Sequence, residues 1–362
     1  MKASYVAIGI STSKLFKMLK MNNFLYNPRY FFRLILLLQN AFWCSIFKRV
    51  EKKKFHKVIV KQAVPQKPVF IVGHWRTGST FLHQLMSLDK NFATSSVYQV
   101  TVPECFISFE KYFKPTMRKM MGTKRPMDNV TFGPDAPQED EFALLRMTLE
   151  SPLYRIVFPK KSKYFLSDYE SFMNENRMSE KWKQSLLYFY KKLTFGNNKQ
   201  VLIKNPFHSM RIQTLCDVFP DARFIHIYRN PFDVIPSTIR MWDIIARQNC
   251  MNRKWTKPDV TEVSKLYQTM LNKIEADLSL MPEGRVSTVK YETFEKQPLE
   301  EIKRIYNEIG AEFHKELEEK IEKFLEDEKD FKKNEHRLNP EEIKIISKSL
   351  EKLISRESYS LH

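Results

Sequence analysis

The stretch "FIVGHWRTGSTFLHQLM", residues 70 to 86, constrains the fold more than any other part of this chain. A short apolar run, a loop bounded by Gly73 and Gly78, and apolar residues at helical spacing read as buried strand, loop and helix. The two glycines have the spacing of a nucleotide-binding P-loop. Such a loop needs lysine where this chain has Ser79, and its only Lys or Arg is Arg76, three positions too early. The first N–H groups of a helix lack intrahelical partners and carry the positive end of its dipole, so the start of the Gly78 helix favours an anion. Thr77, Ser79 and Thr80 add hydroxyl donors and Arg76 a delocalised cation. These parts suit a phosphate or a sulfate. They suit ATP or GTP less well, because the usual lysine reaches the terminal phosphates and the following hydroxyl binds magnesium.

From Pro68 onward, strand-like runs alternate with helical ones. "PVFIVG" (68–73), "QVLIKN" (200–205), "ARFIHIYR" (222–229) and "RVSTVKY" (285–291) read as strands. Each precedes a helix candidate: Gly78 to Leu88, His208 to Phe219, Pro231 to Arg247 and Thr293 to Ile309. That layout predicts an α/β fold, a central parallel sheet flanked by helices in a doubly wound arrangement. Residues 100–196 read as a mostly helical insertion on the acceptor side, and Ala311 to Leu353 as a charged helical tail with Asn339 and Pro340 opening its last part. The expected organisation is a basic, apolar segment over 1–60 and one domain over 61–362.

With 43% hydrophobic residues over 362 positions, the chain can fill a core of its own. A formal charge of +18 favours anionic partners. Nucleic acid is not among those expected, since basic and acidic residues are interspersed and no zinc-finger, RRM or helix-turn-helix signature appears. Cys44, Cys105, Cys216 and Cys250 are far apart, as reduced thiols in a cytoplasmic protein would be. "YFFRLILLLQNAFWCSIF" (30–47) is apolar but carries Arg33, Gln39 and Asn40, and six Lys or Arg follow in 48–57. That composition favours a helix on an anionic membrane surface over one buried on the protein's own core, and either over a signal anchor.

A second motif complements the first. "FIHIYRNPFDVIPSTIRMW" (224–242) runs from a strand into Arg229, with Asn230 and Pro231 as cap and first residue of a helix and Ser237 two turns on. Eight helical residues rise about 12 Å, so Arg229 and Ser237 reach one anion only if the chain bends, for which Pro236 supplies a cause. Arg-Thr-Gly-Ser-Thr after the first strand, with Arg-Asn-Pro-x-Asp-x-x-x-Ser after a later one, resembles the sulfotransferases that use 3′-phosphoadenosine-5′-phosphosulfate (PAPS). The resemblance implies a P-loop NTPase-like fold, the 5′-phosphosulfate held by Arg76, Thr77, Gly78, Ser79 and Thr80, and the 3′-phosphate held by Arg229 and Ser237; Trp75, inside the same loop, is placed to stack on the ligand. "VLIKNPFHSMRIQTLCDVFPDARFIH" (201–226) is similar to the segment that delivers a catalytic lysine in tyrosylprotein and bacterial-type members, which points to Lys204.

The implied reaction is in-line transfer of a sulfuryl group to an acceptor hydroxyl or amine, leaving 3′,5′-ADP. Arg76 and Lys204 are the candidates for stabilising charge on the bridging oxygen. No metal is expected. The general base stays open among Glu139, Glu141 and His208, for which ordinary roles, a helix's first-turn acids and a buried histidine, compete. Tyrosylprotein enzymes carry a base glutamate where this chain has Tyr98 and Gln99, which argues against a protein-tyrosine acceptor. A sugar, lipid or small-molecule acceptor fits the reading. Lys332, Lys333 and Arg337, with His336, are candidates for a loop over the donor's adenosine and 3′-phosphate. The alternatives are a P-loop kinase with an altered loop, or a membrane-associated nucleotide-binding protein without chemistry.

Overall fold

The computed structural model describes residues 6–121, 133–159, 178–252, 255–328 and 337–361. The chain divides into two compact units: Met1–Pro65, Ser95–Asn198 and Met241–Lys257 form a helical unit, and Gln66–Thr94, Lys199–Arg240 and Pro258–His362 form a sheet unit.

In the sheet unit five strands, β1 (Val69–Val72), β2 (Phe92–Ala93), β3 (Gln200–Lys204), β4 (Arg223–Tyr228) and β5 (Val286–Lys290), lie in the order β2-β3-β1-β4-β5. All pairings are parallel. Parallel strands need crossovers and are covered on both faces, which is why β1 is apolar at all four positions and buried throughout. On one face Val69, Ile71, Leu202, Ile225, Ile227 and Val289 pack with Leu82, Leu85 and Met86 of the helix Ser79–Met86. On the other, Phe70 stacks on Phe224 at 5.5 Å between ring centroids and meets Phe219 and His208. Because β1 is central and the chain leaves it first to one side and later to the other, its carboxyl end is a topological switch point, where open α/β sheets bind ligands.

The four expected strands are present, with ends within a residue or two. The helices differ more. The expected helix from His208 becomes a 3₁₀ turn, Pro206–Met210, and a helix, Ile212–Val218, parted at Arg211 with φ −128°. The helix expected from Thr293 to Ile309 is split into Tyr291–Lys296 and Pro298–Glu308, since the residue before a proline is pushed out of helical geometry. Val260–Leu278 was not anticipated, although Asp259 and Glu262 form a capping box at its start. Asn339 and Pro340 do open the helix Pro340–Ser349.

In the helical unit the helix Phe31–Lys61 is longer than the apolar stretch and runs on through the basic flank. It is long and apolar enough to cross a membrane by length and composition, and 17% of its apolar window is buried. Its second half docks on the same unit. The buried Lys192 Nζ lies 2.5 Å from Glu51 Oε1, and Glu51 Oε2 accepts the Ser108 N–H at 2.7 Å. Gln62 donates to Thr194 at 2.9 Å. The described residues of 100–196 are mostly helical, as expected.

Candidate active site

Three adjacent strands bring the candidate residues to one end of the sheet. Since β3, β1 and β4 are parallel, residues that follow their last positions share an edge: the loop from Gly73, Lys204 paired with Ile71 in register, and Arg229 after Tyr228. The loop is built to a fixed shape. Gly73 has φ 147°, and a Cβ there would lie 2.3 Å from the Ile227 carbonyl oxygen. Ser209, fully buried, accepts the Gly73 N–H at 2.9 Å and donates to the Gly73 carbonyl at 3.0 Å. Thr77 donates to the His74 carbonyl at 2.8 Å, and the Trp75 carbonyl accepts from Thr238 at 3.3 Å.

His74 Nδ1 is 2.9 Å from the same Trp75 carbonyl, an acceptor only, so that nitrogen carries the proton. Burial pushes the His74 pKa down to about 4, so the ring beside the loop is neutral near pH 7. Trp75 is buried edge-on against Phe207, with ring centroids 4.9 Å apart.

Arg76 adopts φ 70°, a left-handed conformation that costs a non-glycine residue energy and is retained mainly where the surroundings impose it. Its Nε donates to Ser237 Oγ at 2.9 Å. Ser237 thereby keeps its own O–H as a donor. Gly78, at φ 88°, precedes the first residue of its helix, and a Cβ there would meet the Tyr291 ring at 2.1 Å. The same ring carries the Arg229 guanidinium 4.4 Å from its centroid. Tyr291 is thus a spacer between loop and Arg229. Arg229 is further held by Asp233 Oδ2 at 2.7 Å.

The structure brings Arg76 and Ser237 into contact and seats Gly78 and Arg229 on one ring. Arg229 and Ser237 have different partners, and the helix Pro231–Asn249 continues through Pro236. Ser79 is buried and Thr80 half-buried in the helix's first turn, and Lys204 is buried at the end of β3. His208 is fully buried, edge-on to Phe70. Glu139 and Glu141 belong to the helical unit, Glu141 fully buried at the start of Glu141–Thr148 and Glu139 half-buried. Between them Asp140 accepts the Tyr190 hydroxyl at 2.7 Å. Arg337 is exposed, while Lys332, Lys333 and His336 lie outside the described residues.

Ser209, Thr238, Tyr291 and Tyr267, whose ring stacks on His74 with centroids 4.8 Å apart, were not singled out from the sequence. A serine or tyrosine carries no motif, and only the sheet shows that Tyr291 follows the strand next to Arg229.

The profile of the sulfotransferase family matches residues 68–315. Omega-hydroxy-beta-dihydromenaquinone-9 sulfotransferase Stf3 of Mycobacterium bovis, and that of Mycobacterium tuberculosis, are each 30% identical over 316 residues, 86% of this chain and 80% of the relative. Among solved structures, sulfotransferase STF9 from Mycobacterium avium aligns with TM-score 0.69 at 17% identity, covering 93% of this chain and 88% of that one. Sulfotransferase STF1 from Mycobacterium tuberculosis aligns with TM-score 0.61 at 16% identity, covering 94% and 87%. The last two show the shared fold. The chain belongs to the sulfotransferase family and is a PAPS-dependent sulfotransferase.

Proposed function

We propose that the enzyme transfers the sulfuryl group of PAPS to a hydroxyl on an apolar, membrane-borne acceptor, with a donor site formed by the loop 73–80, Arg229 and Ser237. The observation that carries the donor site is the join between its two halves: Arg76 on Ser237, and Tyr291 between Gly78 and Arg229. Two cations on one framework fit a nucleotide with anions at both its 5′ and 3′ positions, and glycines at 73 and 78 keep the backbone open where a Cβ would collide. In this reading the loop is a P-loop NTPase-like anion cradle in which arginine has replaced the lysine.

When bound, PAPS supplies the activated sulfuryl group. The loop N–H groups with Ser79 and Thr80 hold its 5′ end, and Arg229 with the O–H of Ser237 holds the 3′-phosphate. Arg76 and Lys204 stabilise the charge that grows on the bridging oxygen, an interaction stronger in the transition state than in the ground state. These protein cations do the work without a metal. Full burial against Phe70 favours a structural role for His208. The test for the donor is thermal stabilisation by 3′,5′-ADP, expected to exceed that by 5′-AMP; equal shifts would remove the 3′-phosphate subsite.

The apolar acceptor is supported by the relatives named for a hydroxylated dihydromenaquinone. The N-terminal surface supports it independently: Phe31, Phe32, Leu36, Phe42 and Trp43 are 45–64% exposed on a helix whose continuation is basic. Such a surface suits a peripheral protein on an anionic leaflet. Deleting the whole helix would also break the buried Glu51–Lys192 pair, so point changes are the cleaner test. Phe31→Ser, Phe32→Ser and Trp43→Ser together are expected to abolish sedimentation with anionic vesicles. Undiminished sedimentation would rule this surface out.

A further inference from the structure

The helix Glu351–Glu357 ends at Ser358 in a left-handed conformation, φ 53°, and the next residues turn onto the turn that carries Arg229. Tyr359 Oη donates to Glu292 Oε2 at 2.9 Å. The other oxygen of that carboxylate, Oε1, accepts the N–H of Asn230 at 2.8 Å. The Ser360 carbonyl accepts from Asn230 Nδ2 at 2.9 Å. Lys290 secures the approach, 3.0 Å from Glu357 Oε2 and 3.2 Å from the Glu357 carbonyl.

The Asn230 N–H and the Arg229 carbonyl belong to one planar peptide unit. Its N–H is fixed by Glu292, and its carbonyl accepts the Tyr267 hydroxyl at 2.8 Å. A peptide plane held from both sides has one orientation, and that orientation sets where the Arg229 side chain leaves the backbone. Asp233 and the Tyr291 ring then fix the guanidinium. Glu292 is the shared element, since one carboxylate serves both Asn230 and Tyr359. Without the Tyr359 hydroxyl it loses the donor that keeps its second oxygen in place.

We propose that the segment Glu357–Ser360 is a positioning clamp for the Arg229–Asn230 turn, and that Tyr359, acting through Glu292, tunes recognition of the donor's 3′-phosphate. This rests on the donor-site reading above. Tyr359 is a positioning residue: it touches Glu292, which touches the turn.

The test is Tyr359→Phe, which keeps the ring that packs on the apolar cluster around Val234 and Tyr267, its centroid 4.9 Å from Lys290 Nζ, and removes only the hydroxyl. Binding of 3′,5′-ADP and of 5′-AMP is measured by calorimetry on the full chain. The expected result is about a fivefold to tenfold loss of affinity for 3′,5′-ADP, the size of one hydrogen bond, with 5′-AMP unchanged. KM for PAPS should rise while kcat at saturation stays within about twofold, the signature of lost ground-state and transition-state binding together. In an Arg229→Ala background the same change should have no further effect. Equal weakening of both nucleotides, or of neither, would overturn the clamp while leaving the donor site intact. If Arg229→Ala itself preserves the preference for 3′,5′-ADP, the donor-site reading fails and the clamp with it.

Discussion

Replacing Lys204 with methionine is expected to lower kcat by about 10²–10³-fold, the usual effect of removing one donor aimed at developing charge. Affinity for 3′,5′-ADP should fall much less than kcat, because the bridging oxygen stays on that product as part of its 5′-phosphate, where the loop N–H groups, Ser79 and Thr80 still hold it. Lys204 is the last residue of β3, in register with Ile71 two residues before the loop begins, so the sheet presents it beside Gly73. Methionine keeps the buried apolar stem, and an unchanged melting temperature would separate lost chemistry from lost folding. Stopped-flow or quenched-flow measurement of a single turnover reads the effect directly. A variant with normal turnover would move the transition-state role away from Lys204.

Arg229→Ala is expected to lower 3′,5′-ADP affinity by about 10²-fold and 5′-AMP affinity by less than about threefold. Truncating one side of a charge-assisted contact costs about 2–5 kcal/mol in buried settings, and Arg229 is half-buried, so the lower part of that range applies. The substitution also leaves Asp233 without its cation and uncovers the face of Tyr291. Arg229→Lys should recover only part of the affinity, since a point charge cannot both pair with Asp233 and lie flat on the ring. Uniform weakening of both nucleotides would assign Arg229 a structural role instead.

The sheet and the loop bounded by Gly73 and Gly78 were legible in the sequence for physical reasons. Strands buried on both faces read as unbroken apolar runs, and "VFIV", "VLIK" and "FIHIY" all became strands. Gly73 and Gly78 announced a loop because backbone with positive φ tolerates little else. What was not legible depended on contacts distant in sequence. Arg229 and Ser237 share a motif in the sequence, but only the structure shows that Ser237 also accepts from Arg76, 161 positions away. Tyr291 earns its place only through the pairing of β4 with β5, and Tyr359 only through a carboxylate that follows β5. The N-terminal helix was legible only in part. Its composition marked it as a surface element, but Glu51 within the basic flank is the group that Lys192 pairs with in the interior.

The central claim is transfer from PAPS to an apolar hydroxyl acceptor. The most direct measurement incubates the purified enzyme with sulfur-labelled PAPS and a total cell extract, then separates organic and aqueous phases. Label is expected in the organic phase, on an anionic product whose formation falls with Lys204→Met and is inhibited by 3′,5′-ADP. Label confined to water-soluble glycans or small metabolites would contradict the account.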